Sequence, residues 1–134
     1  MSKITISTDK SKLDIPYIHS FLSTSYWAKG RTIKQVETSI EHSTCFGIYL
    51  SNRQIGFARV LTDRVVFAYI MDVFIDPAYR GNGYAKRLIQ EVLHHPDFSL
   101  LSQWHLKTKD THLLYEQFGF ELIKNSEWWM ELEK

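Results

Sequence analysis

The sequence has little of what several classes of protein require. A single cysteine, Cys45, excludes an internal disulfide and favours the reducing environment of the cytoplasm. No apolar run approaches the ~20 residues of a membrane-spanning helix, and the first residues show no apolar segment of a signal peptide. The formal net charge is only +1, which gives no electrostatic reason to expect nucleic acid or an acidic membrane as partner. Composition therefore predicts a cytoplasmic protein without nucleic-acid or membrane partners.

The chain also lacks internal repeats, low-complexity segments and linkers, so its 134 residues are predicted to form a single domain, 1–134. The six histidines are scattered and show no metal-ligand spacing, so we expect no metal. Cys45 lies in the apolar segment STCFGIYL and is interpreted as a small buried strand residue rather than a nucleophile.

Hydrophobic periodicity predicts up to seven strands and four helices. The strands are expected at residues 3–7, 45–50, 54–62, 65–75, 103–108, 120–123 and 128–132. The helices are expected to begin near Asp14, Thr32, Tyr84 and Asp110, the second of them with a capping box between Thr32 and Gln35. This order predicts an α/β (α+β) fold, with a mixed, mostly antiparallel central sheet of six to seven strands flanked by about four helices.

The central apolar run is followed by Arg80, Gly81 and Gly83, where a helix is predicted to begin. Free N–H groups at a helix start attract phosphate, glycines let the backbone approach it, and an arginine adds a planar cation. An ordinary strand-to-helix turn with a solvated arginine is the alternative. A dinucleotide fingerprint is excluded because Lys86 stands where a third small residue is needed, and a Walker A sequence is absent.

The segment DVFIDPAYRGNGYAKRLI, residues 72–89, resembles the acetyl-CoA motif of the GNAT N-acetyltransferase superfamily: an apolar strand, a linker with proline, Arg-x-x-Gly-x-Ala and a helix. Farther along, HLLYEQFGF, residues 112–120, resembles the late motif of that family, a helix followed by Tyr-x-x-x-Gly-Phe. The order of the predicted elements also fits the family, so the resemblance covers nearly the whole chain. It implies a splayed central strand, acetyl-CoA as co-substrate and acetyl transfer to an amine.

The resemblance assigns coenzyme contacts to the positions that match the family motif. It implies that backbone groups of Val73, Phe74 and Ile75 pair with the acetyl and pantetheine arm, and that an N–H near Phe74 stabilises the oxyanion. The pyrophosphate is expected at Arg80, Gly81, Gly83, Tyr84 and Ala85. Many members have a coenzyme-contacting asparagine where this chain has Thr108, whose hydroxyl can still make a hydrogen bond.

Two residues are predicted to take part in the chemistry. Tyr115 matches the family tyrosine near the sulfur and is expected to be the general acid for the departing thiolate; the alternative is a tyrosine packed on the sheet. Asp72 is an acid in an otherwise apolar strand and could bind the substrate ammonium, accept its proton through water, or both. Its alternative is a structural ion pair with an arginine such as Arg59 or Arg64. In that case the reaction would use no dedicated base, as in some members of the family.

In the family the acceptor is held by the first two helices, the loop between them and the late strands. Here that loop carries Tyr26, Trp27 and Arg31. Aromatic rings together with Asp72 would suit a cationic amine, whereas Arg31 would suit an acceptor with a carboxylate. The alternative is that Tyr26 and Trp27 only anchor the loop to the core. A homodimer through the late strands is expected from family analogy alone.

The sequence therefore predicts acetyl transfer from acetyl-CoA to a primary amine of a small molecule, amino acid or peptide, by direct attack through a tetrahedral intermediate. The alternatives are a non-catalytic acyl-CoA-binding sensor or interaction module, and a protein N-acetyltransferase. The intact Arg80 and Tyr115 favour the enzyme, whereas Thr108 in place of asparagine slightly favours the sensor.

Overall fold

The computed structural model describes residues 3–134. Five strands and four α-helices are present in that range. Their bounds are β1 Ile4–Ser7, α1 Ile15–Leu22, α2 Ile33–Glu41, β2 Thr44–Leu50, β3 Arg53–Thr62, β4 Ala68–Ile75, α3 Tyr84–Leu93, β5 Trp104–Leu106 and α4 His112–Glu116. Short 3-10 turns lie at Lys10–Lys12, Pro77–Tyr79, Pro96–Phe98 and Ser126–Trp128. No helix in this part of the chain is long and apolar enough to cross a membrane.

The strands form one sheet in the order β1-β2-β3-β4-β5. The first three pairs are antiparallel, whereas β4 and β5 are parallel because α3 crosses between them. Ser51, with φ +56°, and Asn52 make the two-residue hairpin between β2 and β3. These observations confirm the predicted α/β class with a mixed, mostly antiparallel sheet and four helices.

Strand β4 is paired with β5 over only part of its length. The parallel ladder joins residues 68–70 to Trp104–Leu106 and ends there. Residues 71–75 therefore pair with β3 on one side, and no strand among residues 3–134 pairs with them on the other. Because backbone groups of a strand alternate between its two edges, this half of β4 leaves N–H and C=O groups facing a gap.

The sheet has five strands rather than the predicted six to seven, because residues 120–123 and 128–132 are not strands. Both segments are rich in apolar residues, as strands are, but a strand also needs a neighbour for its backbone hydrogen bonds. Strand β5 has only three residues and offers little edge for pairing. The segment after Gly119 instead exposes large apolar side chains: Leu122, Trp128, Met130 and Leu132.

Helix α4 also differs from its prediction. The sequence predicts a cap at Asp110 and a helix that reaches Phe118, but the N-cap is Thr111 and α4 ends at Glu116. No side chain caps α4. A helix of one turn and a half gains little from its own hydrogen bonds, so its stability depends on the packing of Tyr115.

The starts of α1 and α2 are as predicted, and they fix the limits of the loop between them. Asp14 Oδ1 accepts the Tyr17 N–H at 3.1 Å. Thr32 Oγ1 accepts the Gln35 N–H at 3.1 Å, while Gln35 Oε1 accepts the Thr32 N–H at 2.8 Å, which completes the capping box. Caps of this kind each contribute about 1 kcal/mol to helix stability.

Two apolar clusters fill the two faces of the sheet. Helix α3 packs Leu88 and Val92 on one face, and α1 and α2 pack Ile18 and Val36 on the other. Each side chain so buried contributes roughly 1.5–3 kcal/mol, which holds the sheet between its helices. Cys45 is buried in the second cluster, as predicted, and burial raises the pKa of its thiol to about 11.

Candidate active site

A β-bulge interrupts β4 where its pairing with β5 ends. Phe74 faces Phe57 and Met71 faces Arg59, so residues 72 and 73 together lie opposite residue 58. Asp72 has φ +55°, a left-handed conformation that aspartate adopts more readily than apolar residues. The bulge turns the Asp72 carboxylate towards the loop between α1 and α2, which supplies two of its hydrogen-bond donors.

The residues predicted to hold the acyl arm, Val73, Phe74 and Ile75, lie in the half of β4 that faces the gap. Phe74 is buried and stacks on Phe21 of α1, with ring centroids 4.0 Å apart. This packing fixes the strand while its outer backbone edge stays open. An extended chain that contains amides can add to such an edge as a further strand does.

The loop between β4 and α3 is held by short polar contacts. Asp76 accepts the Ala78 N–H at 2.9 Å and the Tyr17 hydroxyl at 3.0 Å. Arg80 Nε donates to the Ile75 carbonyl at 3.2 Å, which places the guanidinium beside the end of β4. These contacts keep Arg80 next to the start of α3.

Gly81 and Gly83 have φ of +82° and +76°, and a β-carbon added to either would meet nothing within 4 Å. The left-handed backbone, not crowding within the chain, therefore requires glycine here. Gly83 is the N-cap of α3 and supplies no side-chain cap, so the first N–H groups of α3 have no partner in the helix. The Arg87 N–H makes an intrahelical bond, at 3.1 Å to the Gly83 carbonyl. A free helix start with open space before it suits an anion.

Tyr115 lies on α4 with 7% of its surface exposed and its ring against Phe120, with centroids 5.8 Å apart. Burial, and to a smaller extent the phenol of Tyr26, raises the pKa of Tyr115 to about 12. The hydroxyl is therefore protonated at neutral pH. Full proton transfer to a thiolate, whose conjugate acid has a pKa of about 8.5, would be unfavourable, so this environment favours a hydrogen-bond donor.

The Asp72 carboxylate is 4% exposed and accepts three hydrogen bonds. Trp27 Nε1 donates to Oδ1 at 3.0 Å, while Arg31 Nη1 and Arg59 Nε donate to Oδ2 at 2.8 Å each. This geometry favours the structural alternative for Asp72, with Arg59 as partner, because an amine approaching it would meet two guanidinium groups. Arg64, the other arginine considered, forms a long ion pair at the surface instead.

The residues predicted to hold the acceptor lie together in the loop between α1 and α2. The rings of Tyr26 and Trp27 meet edge to face, with centroids 5.2 Å apart. The Tyr26 hydroxyl accepts the Lys109 N–H at 3.2 Å, and the Arg31 carbonyl lies 3.0 Å from Nε2 of His19. The structure thus brings Trp27 and Arg31 to Asp72, with Tyr26 packed on Trp27, and it anchors the loop to three other parts of the chain.

An open groove of about 460 Å³ lies between this loop, α2 and the Arg59 side chain. It is lined by Trp27, Ala28, Lys29, Gly30, Arg31, Gln35, Ser39 and Arg59. Sequence reasoning missed Lys29, Gln35 and Ser39 as site residues and considered Arg59 only as an ion-pair partner. Gln35 and Ser39 are four residues apart on α2, which indicates one helix face, but nothing local brings Arg59 to that face.

Thr108, at the position of the family asparagine, uses its hydroxyl within its own loop. Its Oγ1 lies 2.6 Å from Thr111 Oγ1 and accepts the Thr111 N–H at 3.1 Å. Lys107 pairs with Glu131 at 3.3 Å, and the Lys109 ammonium lies 5.4 Å from the centre of a tyrosine ring. Among residues 3–134, no three His, Cys, Asp or Glu side chains are grouped so that they could hold a metal ion.

The chain is similar to known proteins in sequence and in fold. A family model described as an acetyltransferase (GNAT) domain matches residues 41–122. The crystal structure of a GNAT-family protein from Xanthomonas campestris pv. campestris is 42% identical, with a TM-score of 0.95 and coverage of 100% of this chain and 95% of that one. An uncharacterized ycf52-like N-acetyltransferase of Prochlorococcus marinus is 35% identical over 86 residues, which are 60% of this chain and 47% of that protein.

The fold is also that of N-acetylglutamate synthase from Neisseria gonorrhoeae, solved with coenzyme A and N-acetyl-glutamate. That likeness has a TM-score of 0.76 at 17% identity and covers 95% of this chain and 30% of that one. The chain spans about half the length of the curated relatives it matches, 59% and 47%. Because the family model matches more than half of the sequence, the chain belongs to the GNAT acetyltransferase family.

Proposed function

We propose that the protein transfers the acetyl group of acetyl-CoA to a primary amine, by direct attack through a tetrahedral intermediate. The observation that carries this proposal is the gap beside residues 71–75 of β4, which leads to the free helix start of α3. An extended thioester-bearing arm fits along an open strand edge, and a pyrophosphate fits at a free helix start. The likeness to a GNAT-fold protein solved with coenzyme A supports the same assignment.

The pyrophosphate is assigned to the loop that precedes α3 and to the first turn of α3. The groups are the Arg80 side chain and the backbone N–H groups of Gly81, Gly83, Tyr84 and Ala85. Arg80 uses its Nε for the Ile75 carbonyl, so its two Nη groups remain for phosphate oxygens. The open space before both glycines supports this assignment.

The acyl arm is assigned to the backbone of Val73, Phe74 and Ile75. Stacking of Phe74 on Phe21 holds this edge in place before any substrate arrives. An N–H near Phe74 then polarises the thioester carbonyl and stabilises the oxyanion, since a donor that is already oriented needs no reorganisation during the reaction.

Tyr115 is assigned to the departing sulfur, to which its protonated hydroxyl donates a hydrogen bond. An alkyl ammonium with a pKa of about 10.4 must lose a proton before it attacks. Asp72 already accepts hydrogen bonds from Trp27, Arg31 and Arg59, so we assign this proton to water. Asp72 is then a positioning residue that holds the acceptor loop against β4.

The test is release of free thiol from acetyl-CoA over a panel of amino acids, polyamines, aminoglycosides and short peptides. The proposal predicts release that requires an amine, an N-acetylated product by mass spectrometry, and a lower rate in Tyr115→Phe. Calorimetric binding of acetyl-CoA without turnover on any amine would favour the sensor instead. Turnover on folded proteins alone would favour a protein N-acetyltransferase, and absence of acetyl-CoA binding would overturn the proposal.

A homodimer through the C-terminal segment, residues 119–134, is part of the same proposal. Three large apolar side chains of the segment are 75%, 96% and 82% exposed and form its apolar face: Trp128, Met130 and Leu132. The residues between them contact this chain, since the Trp129 ring lies 4.9 Å from that of His105 and Glu131 lies 3.3 Å from Lys107. Large exposed apolar side chains grouped in this way indicate an interface.

The occupant we propose for this face is a second copy of the chain. Each copy has a short edge strand β5 and a strand-like apolar segment, and a second copy supplies the partner that each of them lacks.

Light scattering after gel filtration should give twice the mass of one chain, and the double variant Met130→Glu, Leu132→Glu should give a monomer. Leu100→Glu, at an exposed apolar residue outside the segment, is the matched control and should stay dimeric. A monomeric natural chain would overturn the proposed dimer.

A further inference from the structure

We propose that the acceptor is a primary amine that also carries an oxyanion, a carboxylate or a phosphate, and that Arg31 and Arg59 bind this oxyanion. The inference rests on the proposed acetyl transfer and names the substrate class of the same site. Its basis is the groove beside the loop between α1 and α2, in which the charges of the side chains do not balance.

Three cationic side chains line the groove: Lys29, Arg31 and Arg59. Asp72 is the acid that contacts Arg31 and Arg59, and both of its carboxylate oxygens are already engaged. One negative charge therefore faces three positive charges. The groove has an excess of positive charge, which attracts an oxyanion and disfavours a polyamine.

Arg59 is the buried member of this set. It is 6% exposed, with Nε on Asp72 and Nη1 3.1 Å from Ser43 Oγ. Its Nη2 contacts the thioether of Met71 at 3.4 Å. Sulfur of this kind is a weak acceptor, so this charged N–H group, on a residue that lines the groove, can still take a stronger one. An oxyanion in the groove would supply it.

Arg31 is the more accessible member. Its side chain is 20% exposed, and the atom that contacts Asp72 is Nη1. The Nη2 edge of the same planar guanidinium remains for a second, bidentate partner. Asp72 and the anchored loop hold the guanidinium in one place, so little conformational entropy is lost when an oxyanion binds.

The groove is close to the place assigned to the acetyl group. Arg59 faces Met71 across the ladder of β3 and β4, and Asp72 directly precedes Val73. Val73, assigned to the acyl arm, is therefore the chain neighbour of the acid with which Arg31 and Arg59 are ion-paired. An acceptor of amino-acid size, with its amine a few bonds from its oxyanion, suits this arrangement.

The experiment compares matched amines that differ in the oxyanion: L-tyrosine with tyramine, L-lysine with cadaverine, and O-phosphoethanolamine with ethanolamine. Thiol release from acetyl-CoA should give a kcat/KM about tenfold or more higher for the anionic member of at least one pair. The first two pairs report a carboxylate and the third reports a phosphate.

Arg31→Gln should remove this preference, mainly through a higher KM for the amine, while the KM for acetyl-CoA stays the same. Lys34→Gln is the matched control, since Lys34 is an exposed cation of α2 that does not line the groove. The Lys34→Gln variant should prefer the anionic amine to the same degree as the natural chain does.

Two results would overturn the inference and leave acetyl transfer standing: equal or faster turnover of the members without an oxyanion, or a preference that survives Arg31→Gln. If no amine of the panel turns over, acetyl transfer fails and calorimetry decides the anion site. Saturable binding of an anionic member in the presence of coenzyme A, lost in Arg31→Gln, would support the site, and absence of binding would overturn it.

Discussion

The two ends of the open half of β4 are built in different ways. At the coenzyme end, residues 80–85 are consecutive and offer mainly backbone N–H groups that have no partner in the helix. At the acceptor end, Asp72 meets side chains from the loop between α1 and α2 and from β3. A helix start depends on local sequence, so a short motif reveals it, whereas the ion pairs depend on which elements pack together.

Because of this difference, substitutions at the two ends should have different effects on ligand binding and on the stability of the fold. At the coenzyme end a ligand supplies the missing partners, so loss of a side chain should change binding more than folding. At the acceptor end Asp72 already meets its partners within the protein, so loss of this carboxylate should change folding more than binding.

The largest effect is expected for Asp72→Asn. Asparagine tolerates the φ of +55° at this position, so the substitution removes the charge without new backbone strain. Two arginines, one of them 6% exposed, then lose their counter-charge, and the free energy of unfolding should fall by about 3–5 kcal/mol. Urea unfolding measures the loss. Asp97→Asn, which breaks a surface pair of 3.9 Å, is the control and should cost less than about 1 kcal/mol.

A folded Asp72→Asn variant with natural stability and no activity would contradict this account. It would show that Asp72 acts on the amine and that the two ends of β4 do not differ in the way described.

The next largest effect is expected for Arg80→Ala, at the other end. In the assigned site the two Nη groups of Arg80 bind phosphate oxygens rather than a carboxylate of the protein. Their loss should therefore weaken acetyl-CoA binding by about 10- to 100-fold. The free energy of unfolding should change by less than about 1 kcal/mol, because only the contact with the Ile75 carbonyl is lost. Calorimetric titration with coenzyme A measures the affinity, and Arg87→Ala, an exposed cation of α3, is the control. Unchanged affinity would remove Arg80 from the phosphate site.

The same contrast explains what the sequence could predict. Strands β2, β3 and β4, helix α3 and the glycine loop follow from local periodicity and turn residues, and all are present. An acid in an apolar strand could be recognised as unusual, and Arg59 was one of the partners considered. Nothing local, however, brings Arg31 or Trp27 to Asp72, since 41 and 45 residues separate them along the chain.

The two missing strands have a related cause. Their apolar residues favour a strand, but pairing needs a neighbour that the chain does not supply within residues 3–134. Likewise, a cap at Asp110 was predicted from residue type, whereas the turn around Thr108 and Thr111 decides where α4 begins.

Tyr115 belongs to neither end, and its effect should be on the reaction rather than on binding. Tyr115→Phe should lower kcat by about tenfold, the worth of one hydrogen bond to the sulfur, with little change in the KM for acetyl-CoA. The pKa of Tyr115 is about 12 in the folded protein, above the ~10 of an exposed phenol. Its contribution to stability is therefore fully present below about pH 10 and is lost as the pH rises towards 12.

Two observations would check this. First, kcat should not fall through ionisation of Tyr115 between about pH 7 and pH 10. Second, when phenolate absorbance is titrated in the natural chain and in Tyr115→Phe, the difference between the two curves should be a single group with a pKa of about 12. A group that titrates near 10, or a variant with natural kcat, would remove Tyr115 from the sulfur.

The smallest effect is expected at Thr108, which the family pattern assigns to the coenzyme but whose hydroxyl contacts Thr111. Thr108→Val should lower the free energy of unfolding by about 0.5–1.5 kcal/mol, because the Thr111 N–H loses its acceptor, and should change the KM for acetyl-CoA by less than about twofold. Thr108→Ser, which keeps the hydroxyl, should behave as the natural chain. If Thr108→Val instead raises that KM tenfold, the hydroxyl leaves Thr111 for the coenzyme, and the coenzyme end depends on tertiary packing as the acceptor end does.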